Sequence, residues 1–181
     1  VGKHIMKAAA QNLTPVTLEL GGKSPVVVTP SADLAKTVNR VWTGKTMNAG
    51  QTCIAPDYVL MQADKKHAFI EQSTAWLHAH YPNLADNPDY SFIINPKQAS
   101  RVQGYLDDAK QRGATLLPLT DYAVNIETGF FPPMIVTDLP SDAKLLTEEI
   151  FAPVLPLVSY QDLAQAVAYV NERDRPLALY V

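Results

Sequence analysis

The chain has 181 residues, a formal net charge of −3, and hydrophobic and charged shares of 47% and 18%, a balance ordinary for a soluble domain with a real core. It has no basic block, which argues against a nucleic-acid or anionic-membrane partner. No run reaches the roughly 18 apolar residues of a membrane span, no secretory pattern opens the chain, and one cysteine cannot form an internal disulfide; a cytoplasmic location is expected.

Residues 3–12 have helical composition, broken at Thr14-Pro15. Residues 16–20 alternate like a strand and run into the turn signal Gly21-Gly22. Val26-Val27-Val28 is too uniformly apolar for a one-sided sheet and reads as a buried parallel strand. Ser31 or Asp33 can cap a helix carrying Leu34, Val38, Val41 and Trp42 at helical spacing. A strand is expected at Tyr58-Val59-Leu60-Met61, a helix over 65–80, a loop over 81–88, and a helix over 96–112 ended by Gly113. Short strands follow at 115–117 and 134–136, then a loop or turn over 145–152. The strand at 154–158 contains Pro156 and is therefore assigned to an edge or a bulge. A helix over 162–171 precedes a final strand at 177–181. Strands alternating with helices predict an α/β fold, three layers of α/β/α around a largely parallel sheet. Beginning inside a helix and ending in a strand, the chain reads as a piece of a longer protein.

Chemistry concentrates at a few points. Cys53, the only cysteine, ends Asn48-Ala49-Gly50-Gln51-Thr52-Cys53 at a helix-to-strand junction, behind a glycine that lets backbone approach; this is a nucleophile's setting. A buried, inert thiol is the plain alternative. Glu19, among Leu18, Leu20 and two glycines, is partly desolvated if its strand is packed, which raises its pKa and suits it to taking a proton from water. A solvent-facing strand glutamate, or one that caps a neighbour, is the plain alternative and the one its local context alone favours. In Glu148-Glu149-Ile150-Phe151-Ala152-Pro153, a carboxylate can hold both hydroxyls of a ribose and a ring can pack on a heterocycle; a turn cap and a core phenylalanine are the alternative. The histidines at 4, 67, 78 and 80 have neither zinc spacing nor acidic company, so no metal site is expected. Gly21-Gly22-Lys23-Ser24 lacks the earlier glycine of a nucleotide-triphosphate loop.

Three segments taken together are similar to the signatures of the aldehyde dehydrogenase superfamily, in the family's order. They are Leu18-Glu19-Leu20-Gly21-Gly22-Lys23-Ser24-Pro25, then residues 48–53, then Glu149-Ile150-Phe151-Ala152-Pro153. Cys53-Ile54-Ala55-Pro56-Asp57-Tyr58 and Arg175-Pro176-Leu177-Ala178-Leu179-Tyr180 resemble the class 3 and coniferyl aldehyde dehydrogenase branch. The resemblance spans the whole chain, which covers less than half of a typical member.

That resemblance implies Cys53 as nucleophile and Glu19 as the base that activates water. It implies Glu149 as the holder of the nicotinamide ribose of NAD or NADP, with Phe151 beside the ring, and Gly2 as the tail of a cofactor-binding glycine turn. It further implies an aromatic or long-chain aldehyde substrate and a homo-oligomer, a dimer. Residues 1–20 are then a remnant of the dinucleotide-binding domain and residues 21–181 the catalytic domain, inactive on its own. Alanine at 152 departs from the family's glycine. Three rivals stay open. They are a dehydrogenase that passes its acyl group to coenzyme A, a cysteine esterase or thioester hydrolase, and a non-enzymatic piece with a buried thiol.

Overall fold

The computed structural model describes residues 1–181. Five strands, β1 (Pro25–Val27), β2 (Tyr58–Gln62), β3 (Thr115–Pro118), β4 (Met134–Thr137) and β5 (Val154–Tyr160), lie in the order β1-β2-β5-β4-β3. All neighbours are parallel except the β3–β4 pair. Six helices accompany them: α1 (Gly2–Gln11), α2 (Leu34–Thr46), α3 (Lys66–His80), α4 (Pro96–Gln111), α5 (Lys144–Thr147) and α6 (Leu163–Asn171).

Alternation along the strands covers both faces of the sheet, as a mainly parallel sheet requires. Val59 and Met61 of β2, Ile135 of β4 and Leu155 and Leu157 of β5 pack with Val38, Val41 and Trp42 of α2 and Phe69 and Leu77 of α3. On the opposite face Met134, Val136 and Val154 meet Ala99, Val102 and Leu106 of α4. Tyr58, Leu60 and Tyr160 meet Ala166 of α6 there. The expected three layers are present.

Local signals explain most boundaries. Asp33 accepts from the Lys36 amide at 3.1 Å, Asn95 from Gln98 at 3.0 Å and Asp162 from Gln165 at 2.8 Å, each capping exposed donors of a first turn. Gly113, at φ +86°, follows α4 in the left-handed conformation that stops a helix.

Three expectations are corrected. Residues 16–20 form no strand; their alternation is real, but no hydrogen bond joins residues 1–20 to the rest of the chain, and of these twenty only Gly2 is buried. At the other end, only Tyr180 bridges to β1, its carbonyl accepting from Val27 at 2.8 Å. Pro156 lies in a central strand, not at an edge. The β4 ladder ends at the Pro156–Val136 pair and the β2 ladder begins at Leu157–Val59, so the missing donor falls where β5 changes partners.

Candidate active site

The three chemistry-bearing segments precede β1, β2 and β5, so the parallel sheet gathers them at the amino ends of those strands. Open α/β sheets more often bind ligands at the carboxyl ends.

After α2 the chain reverses through Asn48, Ala49 and Gly50 at φ +50°, +53° and +72°. Asparagine tolerates this left-handed region and glycine is free in it, but alanine is strained by roughly 1–2 kcal/mol. Gly50 is also required sterically. A Cβ there would stand 2.6 Å from the carbonyl oxygen of Ala152 and 3.1 Å from that of Lys45. The Cys53 loop and the Glu149 loop are thus in backbone contact at this residue. Gln51 anchors the reversal, donating to the carbonyls of Asn48 (2.9 Å) and Phe92 (3.0 Å) and accepting from the Ile94 amide (2.9 Å).

Cys53 sits in the turn closed by the Ala55 amide on the Thr52 carbonyl at 3.0 Å. It is half-buried, neither sealed in the core nor projecting freely. The Tyr180 hydroxyl donates to the Ile54 carbonyl at 2.6 Å. Burial, with Cys53 nearby, raises that phenol's pKa.

Glu149 is half-buried, and its Oε1 accepts from the Gly22 amide at 3.2 Å. Desolvation raises its pKa, the Gly22 hydrogen bond works against that, and Asp57 adds to the rise. Gly21, at φ +75°, leaves the space the carboxylate fills; a Cβ there would be 2.8 Å from Oε1. Glu149 also lines a polar cleft of about 440 Å³ with Lys23, Arg173 and Arg175. Phe151 is half-buried at φ +53°. A phenylalanine persists there only because its surroundings fix the backbone.

Those surroundings include residues that sequence reasoning passed over. Arg101 on α4 donates to the carbonyls of Glu149 (3.1 Å) and Ile150 (2.8 Å). The Lys23 ammonium bonds Asp57 and the carbonyls of Leu145 (2.9 Å) and Glu148 (2.8 Å). The other oxygen of Asp57 accepts from the Ile150 amide at 3.0 Å. Lys45 is fully buried, which lowers its pKa to about 8 against the pull of Asp57. Asp57 was visible only as part of the run after Cys53. Arg101 and Lys45 carried no local signal, since each looks like an ordinary polar helix position.

The other two residues singled out stand apart. Glu19 is exposed, with no hydrogen bond or ion pair, although its neighbours Gly21 and Gly22 pack on Glu149. Gly2 is buried in α1 against Leu18 and Leu20.

A doubly covered, mainly parallel sheet, with a half-buried cysteine in one loop and a buttressed carboxylate in the loop that meets it, defines an α/β domain. The model described as "Aldehyde dehydrogenase family" matches residues 1–181. The chain belongs to that family. It is 50% identical over 180 residues to a probable coniferyl aldehyde dehydrogenase of Pseudomonas aeruginosa, covering 99% of this chain and 37% of the relative. It is 41% identical over its whole length to aldehyde dehydrogenase family 3 member A2 of Rattus norvegicus, covering 36% of that protein. Among solved structures, a substrate-bound Staphylococcus aureus AldH superposes with a TM-score of 0.90 at 37% identity, over 99% of this chain and 38% of the other. A betaine aldehyde dehydrogenase of the same organism, in complex with NAD+, gives 0.80 at 28% identity over 95% and 35%. The chain therefore spans little more than a third of these relatives.

Proposed function

We propose that the chain is most of the catalytic domain, residues 21–181, of an NAD(P)-dependent aldehyde dehydrogenase, with residues 1–20 a remnant of the dinucleotide-binding domain. The observation that carries this reading is the contact of the two loops: Gly50 against Ala152 brings the Cys53 turn to the Glu149 segment. The names of the relatives favour an aromatic substrate of the coniferyl aldehyde type; long-chain aldehydes are the second class proposed. The intact protein is read as a cytoplasmic homodimer; in this chain no helix is long and apolar enough to cross a membrane.

The residues present fit one end of a dinucleotide. Glu149 is half-buried on a cleft wall with Oε2 in no hydrogen bond, and Phe151 is two residues on. Glu149 would hold the ribose hydroxyls, Phe151 would pack beside the nicotinamide, and Gly2 would close the glycine turn. A bound NAD or NADP would supply the hydride acceptor. The Cys53 thiolate adds to the aldehyde carbon, and the carbonyl oxygen, now an anion, takes the Cys53 amide as one hydrogen-bond donor. With the hydride passed to that acceptor, the carbonyl would re-form as a thioester on Cys53. Glu19 takes the proton from the water that hydrolyses it, releasing the acid. The unpaired state of Glu19 leaves its carboxylate free for that role.

In the intact protein, Cys53→Ser should abolish aldehyde oxidation. Glu19→Gln should still give one rapid burst of reduced cofactor per site and then stall. An unchanged steady-state rate in the Glu19 variant would remove it from the base role. The 181-residue chain alone should reduce no nicotinamide when given aldehyde.

A further inference from the structure

The Lys23–Asp57 pair is buried, with side chains 12% and 4% exposed. Desolvating two such charges costs about as much as their attraction returns, so an isolated pair adds little stability. Its consequence lies in where its other hydrogen bonds end. Lys23 uses its two remaining ammonium hydrogens on the carbonyls of Leu145 and Glu148, and Asp57 uses its second oxygen on the Ile150 amide. Three backbone groups around Glu149, two of them its immediate neighbours, are thereby tied to one ion pair. The Asp57 amide in turn donates to the Ser24 carbonyl at 2.8 Å. Asp57 follows Cys53 by four residues, and Lys23 directly follows Gly22, whose amide holds the Glu149 carboxylate. One pair therefore joins the nucleophile turn, the glycine turn and the carboxylate loop.

We propose that Lys23 and Asp57 are positioning residues that set the Glu149 carboxylate at a fixed place relative to Cys53, for the cofactor ribose. This rests on the reading of Glu149 as the ribose ligand. Neither residue touches the reacting atoms; both act through the backbone at 148–150.

The test uses the intact protein containing this chain, titrated with NADH and NADPH separately by fluorescence, with Cys53 alkylation by iodoacetamide measured in the absence of cofactor. Lys23→Met alone leaves Asp57 buried and uncompensated and is expected to unfold readily. The informative variant is therefore Lys23→Met with Asp57→Asn, which removes both charges but keeps an acceptor for the Ile150 amide. Cofactor affinity should fall about tenfold, a coupling usual within one hydrogen-bonded network, while the alkylation rate and the thermal midpoint stay near wild type. Affinity within twofold of wild type would overturn the proposal. So would a parallel loss of affinity, thiol reactivity and thermal midpoint, since that is a structural defect only. Glu149→Gln is the control. If it weakens cofactor binding and the double variant does not, positioning alone is wrong; if it leaves binding unchanged, the ribose reading falls and this proposal with it.

Discussion

Replacing Gly50 by alanine tests the contact on which the site depends. At φ +72° an L-residue is strained by about 1–2 kcal/mol. The new Cβ would also stand 2.6 Å from the oxygen and 2.8 Å from the carbon of the Ala152 carbonyl. Both are backbone atoms, and Asp57 and Arg101 hold that backbone just upstream, at residues 149 and 150. Overpacking of this kind costs about 1–3 kcal/mol. The sum, about 2–5 kcal/mol, is a large part of the roughly 5–15 kcal/mol of a typical domain. In urea the unfolding midpoint should fall by about 1–2 M. Gly113→Ala is the calibration, because Gly113 also has positive φ but nothing lies within 4 Å of its Cβ position. It should lose only the conformational share. Equal midpoints for the two variants would show that the loops are not in tight contact, and the reasoning built on that contact would fail.

Other expectations are simpler. Gly104 is exposed within α4 with open space around it, so Gly104→Ala should stabilise by about 0.5–1 kcal/mol in the same urea assay. Ala152 is fully buried and its methyl packs in the α4-side core; Ala152→Gly should therefore cost about 1–2 kcal/mol, even though glycine is the family's residue. Lys45 gives a pH signature. Its folded pKa of about 8 lies below the ordinary 10.5, so between those values the unfolded chain binds more protons and stability rises with pH. The full burial penalty, about 3 kcal/mol, applies below pH 8 and is relieved towards 10.5. Lys45→Met should flatten the rise in urea midpoint between pH 8 and 10. Above pH 10 Tyr58, pushed up to about 12 by burial, works in the opposite direction, so the comparison belongs below that point.

What the sequence disclosed was mostly local. Asp33, one of two cap candidates, caps the helix it precedes, and the unbroken apolar run at Val26-Val27-Val28 reports burial on both faces. The two end strands misled because strand-like composition, with alternation at 16–20, records what a segment could pair with, not whether a partner is alongside. Pro156 misled because a missing donor is also tolerated where a central strand changes neighbours. The three site segments were legible as motifs. Their mutual support was not: Lys23 meets Asp57 at a separation of 34 residues, Leu145 at 122 and Glu148 at 125, and pairing at such distances leaves no periodicity in the chain.

The change of partners at Pro156 divides the sheet along a seam. On one side β1, β2 and residues 157–160 share a continuous ladder; on the other, β3, β4 and residues 154–156 share a second. Within the sheet only the covalent strand joins the two; beside it, packed side chains and the Lys23–Asp57 hydrogen bonds to residues 145, 148 and 150 cross between them, so amide protection should fall into two sets coupled through the site. The thiol belongs to the first set and the carboxylate loop leads into the second. Any fluctuation that opens this seam must therefore break the Lys23–Asp57 bonds to residues 145–150 as it parts the thiol from the carboxylate, and thiol reactivity would change ahead of secondary structure as denaturant is added.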